Sequence, residues 1–187
     1  MRSKTQVIVI QALLLALSII LTRFASIRVA IGGVEGIRIG FGTLPIIMTG
    51  VFFGPLAGIL VGVSADIVGY VLSPMGPYMP HFTLIAALYG LVPGLLTVRP
   101  LSGLIDARFG PMKTIILGIT LSQVLGGLFL TPYFLHILFE IPWKILIIPR
   151  LISTPIQIVL YGYLFYLLIK VPSFSAFLSP CSHDERF

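Results

Sequence analysis

Long apolar runs separated by short polar breaks dominate the chain, and six of them are interpreted as membrane segments. Their approximate bounds are residues 5–25, 40–53, 56–72, 81–98, 114–138 and 146–169. A helix needs about 20 apolar residues to cross the hydrocarbon layer of a bilayer. The second segment is shorter, so its ends should lie near an interface or within protein. The pattern predicts an all-α integral membrane protein with six transmembrane helices, forming one domain over residues 1–187.

The breaks between these runs are rich in glycine and proline. Residues 73–80 include three prolines, each of which removes a backbone donor, so this stretch cannot be a regular helix. The residues between segments one and two are predicted to be a loop that carries two arginines. The most polar loop is expected at 99–113, and the tail from about residue 172 is expected to be poorly ordered.

Composition supports a lipid environment. The 187 residues are 57% hydrophobic and 10% charged, with a mean hydropathy of +1.09, whereas a soluble domain has about 25% charged residues. The net charge of +6 does not indicate nucleic-acid binding, because the basic residues stand singly at the ends of apolar runs. A single cysteine, Cys181, excludes an internal disulfide and a cysteine-based metal cluster. We expect no metal ion and no cofactor.

The distribution of basic residues predicts the orientation. With an even number of spans, one side of the membrane receives Arg2, Lys4, Arg99, Arg108, Lys113, Lys170 and Arg186, and the other receives Arg23, Arg28, Arg38, Lys144 and Arg150. This bias predicts that both termini are cytoplasmic. Several arginines then face outward, and two explanations stay open. They bind an anionic ligand that arrives from outside, or they contact lipid headgroups.

Asp66 is predicted to lie in the middle of the third span, with Tyr70 one turn further on. A carboxylate there is costly, so it should face a polar cavity or a hydrogen-bonding partner. It can accept two hydrogen bonds from an amide-like or guanidine-like edge, such as the 2-amino and ring N–H edge of a pterin. A proton relay or cation site is the alternative, but relays usually contain several acidic or histidine groups within the membrane.

The proline-rich break offers further candidates for ligand contact. Its free backbone groups and the side chains of Tyr78, His81, Phe82 and Thr83 suit stacking on, and hydrogen bonding to, a flat heterocycle. A structural role for His81 is equally compatible with the sequence.

Candidates for an anion-binding group lie elsewhere in the chain. Arg150 begins the sixth span and Gln157 follows two turns later. Arg28 and Arg38 lie in the predicted loop after the first span, and Arg38 leads into the second span. These three arginines could converge on one outer rim and hold carboxylates in bidentate pairs, which only a fold can test.

Ala12 and Ala16 lie four residues apart in a helix of otherwise large residues, so both are on one face. Small residues at this spacing allow another membrane helix to approach closely. That helix belongs either to a partner protein or to the same chain.

The order and spacing of these motifs resemble the substrate-binding S components of energy-coupling factor (ECF) vitamin transporters, and within them the folate-specific branch. The matching stretches are Ala12 with Ala16, Ile37–Pro45, Phe53–Leu56, Ala65–Tyr70, Pro74–Thr83, Thr131–Tyr133, Ile148–Leu151 and Pro155–Gln157.

The resemblance implies a six-helix protein with a vitamin pocket on its outer side, gated by the loop after helix one. It implies that the pocket binds folate, with Asp66 at the pterin edge and the arginines at the benzoyl-glutamate end. Tyr70, Tyr78 and Phe82 would border the ring, and His81 and Thr83 would add polar contacts.

The resemblance also implies partners: a transmembrane coupling protein, which would contact Ala12 and Ala16, and two ATP-binding subunits. The chain itself should not be an enzyme, and it has no GxxxxGK[ST] phosphate-binding loop. Two alternatives remain: an S component for another vitamin, such as thiamine or pantothenate, and a solitary secondary carrier.

Overall fold

The computed structural model describes residues 4–24, 26–31, 34–72, 78–97 and 111–170. Seven α-helices are found there: α1 Lys4–Phe24, α2 Thr43–Phe53, α3 Pro55–Leu72, α4 Pro80–Thr97, α5 Pro111–Gln123, α6 Thr131–Phe139 and α7 Trp143–Lys170. Two strands, β1 Ser26–Ile31 and β2 Val34–Gly40, follow α1, and a π-helical segment, Val124–Leu130, joins α5 to α6. The polar loop before residue 111, most of the proline-rich break, Cys181 and the tail from 172 lie outside the described residues.

Each of the six predicted membrane segments contains a helix within the described residues. Five helices are long and apolar enough to cross a bilayer: Lys4–Arg23, Pro55–Leu72, Pro80–Thr97, Met112–Phe139 and Trp143–Leu168. α2 has 11 residues, which span about 16 Å, so it is too short to cross alone. Its residues from 44 to 50 are buried inside the bundle, as expected for a short segment that must be enclosed by protein.

The predicted loop after α1 is instead a two-stranded antiparallel hairpin. β1 pairs with β2 in a register that places Arg28 opposite Arg38, with an irregularity between Val29 and Ala30. The sequence explains this: β-branched residues occupy every second position of β1 and three positions of β2, and a Gly-Gly pair separates the strands. The protein is therefore an all-α membrane bundle with one added hairpin.

Glycines allow α2, α3 and α4 to pack closely. A Cβ atom at Gly58 of α3 would lie only 2.6 Å from the carbonyl oxygen of Gly90 on α4 and 2.9 Å from the Cα of Gly50 on α2. Such approach between backbones gives dispersion contacts that replace the hydrophobic driving force absent between helices in lipid. These three helices consequently form the most closely packed part of the bundle.

The base of the hairpin is fixed by hydrogen bonds to two helices. Tyr161 of α7, which is 1% exposed, donates from its hydroxyl to the carbonyl of Gly40 and accepts from the hydroxyl of Thr43 at 2.6 Å. Ser18 of α1 donates to the carbonyl of Gly42 at 2.7 Å. β2 also packs against α7. The C-terminal end of the hairpin is therefore anchored to the bundle interior.

Candidate functional site

Three polar side chains form a directed hydrogen-bond chain between the end of α3 and the start of α4. Thr83 donates from Oγ1 to Oδ2 of Asp66 at 2.6 Å. The Tyr78 hydroxyl lies 2.7 Å from the same Thr83 oxygen. Because a threonine hydroxyl carries one hydrogen, which Asp66 already accepts, Tyr78 must be the donor in the second bond. The three residues therefore act as one unit that is oriented toward the carboxylate.

An aromatic wall accompanies this unit. The ring centroids of Tyr70 and Tyr78 are 5.2 Å apart with an interplanar angle of 59°. Tyr78 is 41% exposed, whereas Thr83 is 9% exposed, so the group has an open end and a buried end. Asp66 lies six residues before the end of α3, about 9 Å from that end and about 4 Å from the middle of the helix, which agrees with its predicted central position. The structure thus brings four predicted site residues together near one end of the bundle.

His81 and Phe82 lie beside this group at the start of α4. The His81 ring is 4.7 Å from the ring of Phe134 on α6, and its Nδ1 is buried without a hydrogen-bond partner in the described residues. The Phe82 backbone N–H donates to the carbonyl of Met79 at 3.1 Å and closes the first turn of the helix. Both side chains are half-buried, and His81 links α4 to α6.

Arg150 and Gln157 share one face of α7. Their spacing of seven residues corresponds to two helical turns, and both side chains are half-buried. Tyr161, which anchors the hairpin, continues the same face one turn later. This face therefore connects the two predicted ligand contacts to the hairpin.

Arg28 and Arg38 occupy directly paired positions of the hairpin. The sequence predicted that both lie in a loop, whereas the observed register places their backbones opposite each other in two paired strands. β2 packs on α7, the helix that carries Arg150. The geometry of the three side chains relative to one another lies outside what the structure describes.

Arg23, which the sequence analysis placed among the outward-facing basic residues but not among the site residues, makes a contact next to the site. From the last turn of α1 its guanidinium donates to the carbonyl of Gly69, which lies one turn after Asp66 on α3. A Cβ at Gly69 would be 3.5 Å from the Arg23 Nη2 atom. In the sequence, Arg23 is a lone basic residue at the end of an apolar run. This pattern is equally typical of an arginine whose side chain extends to the membrane surface, so it did not indicate the contact with Gly69.

The small-residue pair on α1 lies on the outside of the bundle. Ala12 and Ala16 are exposed, as are the neighbouring Leu13 and Leu17. Only 11% of the residues in the most apolar stretch of Lys4–Arg23 are buried, compared with 50% for Met112–Phe139. Packing within the described part of this chain therefore does not account for the small residues.

Taken together, the apolar spans and the polar groups gathered at one end define a multi-pass membrane protein that has the features of a binding subunit. The family model described as "ECF-type riboflavin transporter, S component" matches residues 2–172. The chain is 33% identical over 164 residues to the folate transporter FolT of Clostridium novyi (strain NT), covering 85% of this chain and 88% of that protein.

Two solved structures share the fold. The crystal structure of FolT bound with folic acid has a TM-score of 0.70 and 26% identity, covering 89% of this chain and 92% of that chain. The S component of a bacterial ECF transporter has a TM-score of 0.64, covering 95% of this chain and all of the other (100%), and at 19% identity it supports the fold alone.

The chain belongs to the S component family of ECF-type transporters. The resemblance drawn from its sequence motifs is thereby confirmed. As an S component it is a non-enzymatic, substrate-binding membrane subunit that works with ECF transmembrane and ATP-hydrolysing subunits.

Proposed function

We propose that this S component binds folate at the end of the bundle that carries the hairpin and delivers it inward with its ECF partners. The observation that carries this proposal is the Asp66–Thr83–Tyr78 chain beside the Tyr70 ring. The relatives named as folate transporter and as FolT bound with folic acid support it.

Asp66 is the residue that recognises the pterin. A carboxylate offers about four lone-pair positions, and Thr83 occupies one of them. The remaining positions accept from the 2-amino group and the ring N–H of a pterin as two parallel hydrogen bonds. Thr83 and Tyr78 hold the carboxylate in orientation, so recognition does not require it to be reorganised. The rings of Tyr70, Tyr78 and Phe82 border the heterocycle, and His81 adds a polar contact.

The glutamate end of folate carries two carboxylates and needs cationic partners. Arg28 and Arg38, which are paired in the hairpin, and Arg150 on the helix against which β2 packs, supply them. Gln157 adds a neutral hydrogen-bonding group two turns beyond Arg150. Because β1 and β2 carry two of these arginines, ligand binding also fixes the hairpin over the pocket.

We further propose that residues 1–187 form a single domain with both termini in the cytoplasm. The basic residues favour this orientation, which directs the hairpin and the Asp66 group outward. The exposed Ala12–Ala16 face of α1 is the docking surface for the transmembrane coupling protein. Lipid covers the other apolar faces, and no cofactor is needed.

The test is equilibrium binding of folic acid to the purified protein in detergent, with riboflavin, thiamine and pantothenate as competitors. Folic acid should bind most tightly, and a pterin absorption band should remain with the protein through purification. Riboflavin is the second candidate, because the matching family model is described by that vitamin. Riboflavin has no carboxylate and would leave the arginines without a counter-charge. Tighter binding of any competitor than of folic acid would contradict the proposal.

A further inference from the structure

A second polar group lies in the interior of the bundle, away from the Asp66 chain. Gln123 ends α5 and is 1% exposed, and its side-chain Nε2 is buried without a hydrogen-bond partner in the described residues. Buried amides in native proteins are nearly always hydrogen-bonded. In a lipid-embedded bundle, bulk water does not compensate for a missing partner. An unpaired amide at this position therefore needs an explanation.

Two more polar side chains point to the same place. A Cβ atom built at Gly127, in the π-helical segment, would lie 3.6 Å from the Thr154 Oγ1, 3.6 Å from the Tyr89 hydroxyl and 3.8 Å from the Gln123 Oε1. These atoms come from α7, α4 and α5, so three helices direct uncharged polar groups at one glycine. We call Gln123, Tyr89 and Thr154 the inner polar cluster.

The backbone at the cluster is irregular in a way that creates room. Val124–Leu130 forms a π-helix, a form that is rare and occurs frequently at functional sites. Both of its glycines are buried, and Thr131 donates to the carbonyl of Gly126 at 2.6 Å. The ring of Tyr89 would lie 2.9 Å from a Cβ at Gly126, so this glycine is what permits its approach. A regular helix of large residues would fill the cluster.

The cluster is continuous with the proposed vitamin site. Thr154 lies between Arg150 and Gln157 on one face of α7, four residues from the first and three from the second. Tyr89 lies six residues after Thr83 on α4, about 9 Å deeper along that helix. The cluster is thus deeper along α4 than Thr83, and on α7 it lies between the two predicted ligand contacts, Arg150 and Gln157.

We propose that the inner polar cluster is the floor of the vitamin pocket, where Gln123 donates a hydrogen bond to an uncharged acceptor of a planar nitrogen heterocycle. The acceptor is a ring nitrogen or a carbonyl oxygen, because the three cluster side chains are uncharged and so do not neutralise a carboxylate. This inference rests on the proposed function, since it assigns a contact to the ring end of the same ligand. It makes Gln123 a specificity-determining residue in addition to Asp66.

The experiment compares stability and affinity in Gln123→Leu, which removes the amide at similar volume. If the Gln123 Nε2 forms its hydrogen bond only when a ligand is bound, the apo form of the variant should have a Tm equal to or above that of the wild type, because an unpaired polar group has been removed. The Kd for folic acid should rise about tenfold or more, a loss of about 1.4 kcal/mol. Gln123→Met, which is also unbranched at Cβ, serves if the leucine variant does not fold, and Thr154→Val should raise the Kd as well.

Ser122→Ala is the matched control. Ser122 is adjacent and fully buried, but its hydroxyl donates to Ile119 within its own helix at 2.9 Å. Its Kd should equal that of the wild type. A Kd within twofold of the wild type for a folded Gln123→Leu or Gln123→Met variant would overturn the inference, as would a loss of affinity accompanied by a large fall in the apo Tm of both variants. Wild-type protein that fails to bind folic acid contradicts the proposed function alone, and the comparison then uses the vitamin that does bind.

Discussion

The first and fifth membrane spans are similar in hydropathy but differ in what covers them. Lys4–Arg23 has a mean hydropathy of 2.2, and 11% of the residues in its most apolar stretch are buried. Met112–Phe139 has a mean hydropathy of 1.8, and there the buried share is 50%. The fifth span contains the π-helix and Gln123, and the first presents small and aliphatic residues to its surroundings. Hydropathy alone therefore does not separate a helix that builds a binding site from one that is available to a partner. Burial and polar content separate them.

The largest effect should come from disturbing the closely packed helices between these two spans. Gly90→Val places a side chain against the backbone of α3, where a Cβ has no space, and overpacking of this kind costs about 3 kcal/mol. We expect a fall in Tm of the purified protein and poor yield. Gly162→Val is the control, because a Cβ at Gly162 meets nothing within 4 Å, and its Tm should stay close to that of the wild type. Equal Tm values for the two variants would contradict this account of the packing.

Asp66→Ala should give the largest loss of affinity. It removes the acceptor of the Thr83 hydrogen bond and of the proposed pterin contacts, and charge-assisted hydrogen bonds of this type correspond to about 10- to 100-fold in Kd. Titration of the purified variant with folic acid measures this. Ser64→Ala, also half-buried on α3, should bind normally. Unchanged affinity in Asp66→Ala would remove this residue from the site.

Ala12→Trp should affect assembly without affecting the vitamin. The bulky ring blocks close approach of a coupling-protein helix to the exposed face of α1. Copurification with the ECF partners should fall about tenfold, while the Kd for folic acid stays unchanged. Val159→Trp, at a position that is 72% exposed on α7, should assemble normally. Intact assembly of Ala12→Trp would show that the partner docks elsewhere.

Tyr161→Phe should have the smallest effect. It deletes the hydroxyl that joins α7 to Gly40 and Thr43 at the base of the hairpin, and one such hydrogen bond contributes about 1 kcal/mol. We expect folic acid to dissociate a few times faster, because the hairpin is held less firmly. Stopped-flow displacement measures the rate. Tyr163→Phe, on the exposed side of the same helix, should leave it unchanged.

The sequence predicted the spans because hydrophobic length is a local property of the chain. It also predicted that Asp66, Tyr70, Tyr78 and Thr83 would be functional candidates, since polar groups are costly in lipid and stand out against an apolar background. The structure then showed that these four side chains meet. Their grouping follows from how α3 and α4 pack against each other, and this packing cannot be predicted from a local sequence pattern.

Two features were missed for different reasons. The hairpin had a readable signal, with β-branched residues on both sides of Gly32-Gly33, but its position between two membrane spans favoured a loop instead. The inner polar cluster had almost none, because Gln123, Tyr89 and Thr154 are far apart in the chain and only the fold brings them to Gly127. A glutamine before a Gly-Gly pair within an apolar span is the one local hint.

The most direct measurement is an experimental structure of the protein with folic acid bound. Our account predicts that the pterin 2-amino group lies within hydrogen-bond distance of the Asp66 carboxylate, with the glutamate carboxylates next to Arg150 and the hairpin. Folic acid found away from Asp66, or bound with its glutamate end against that carboxylate, would contradict the account.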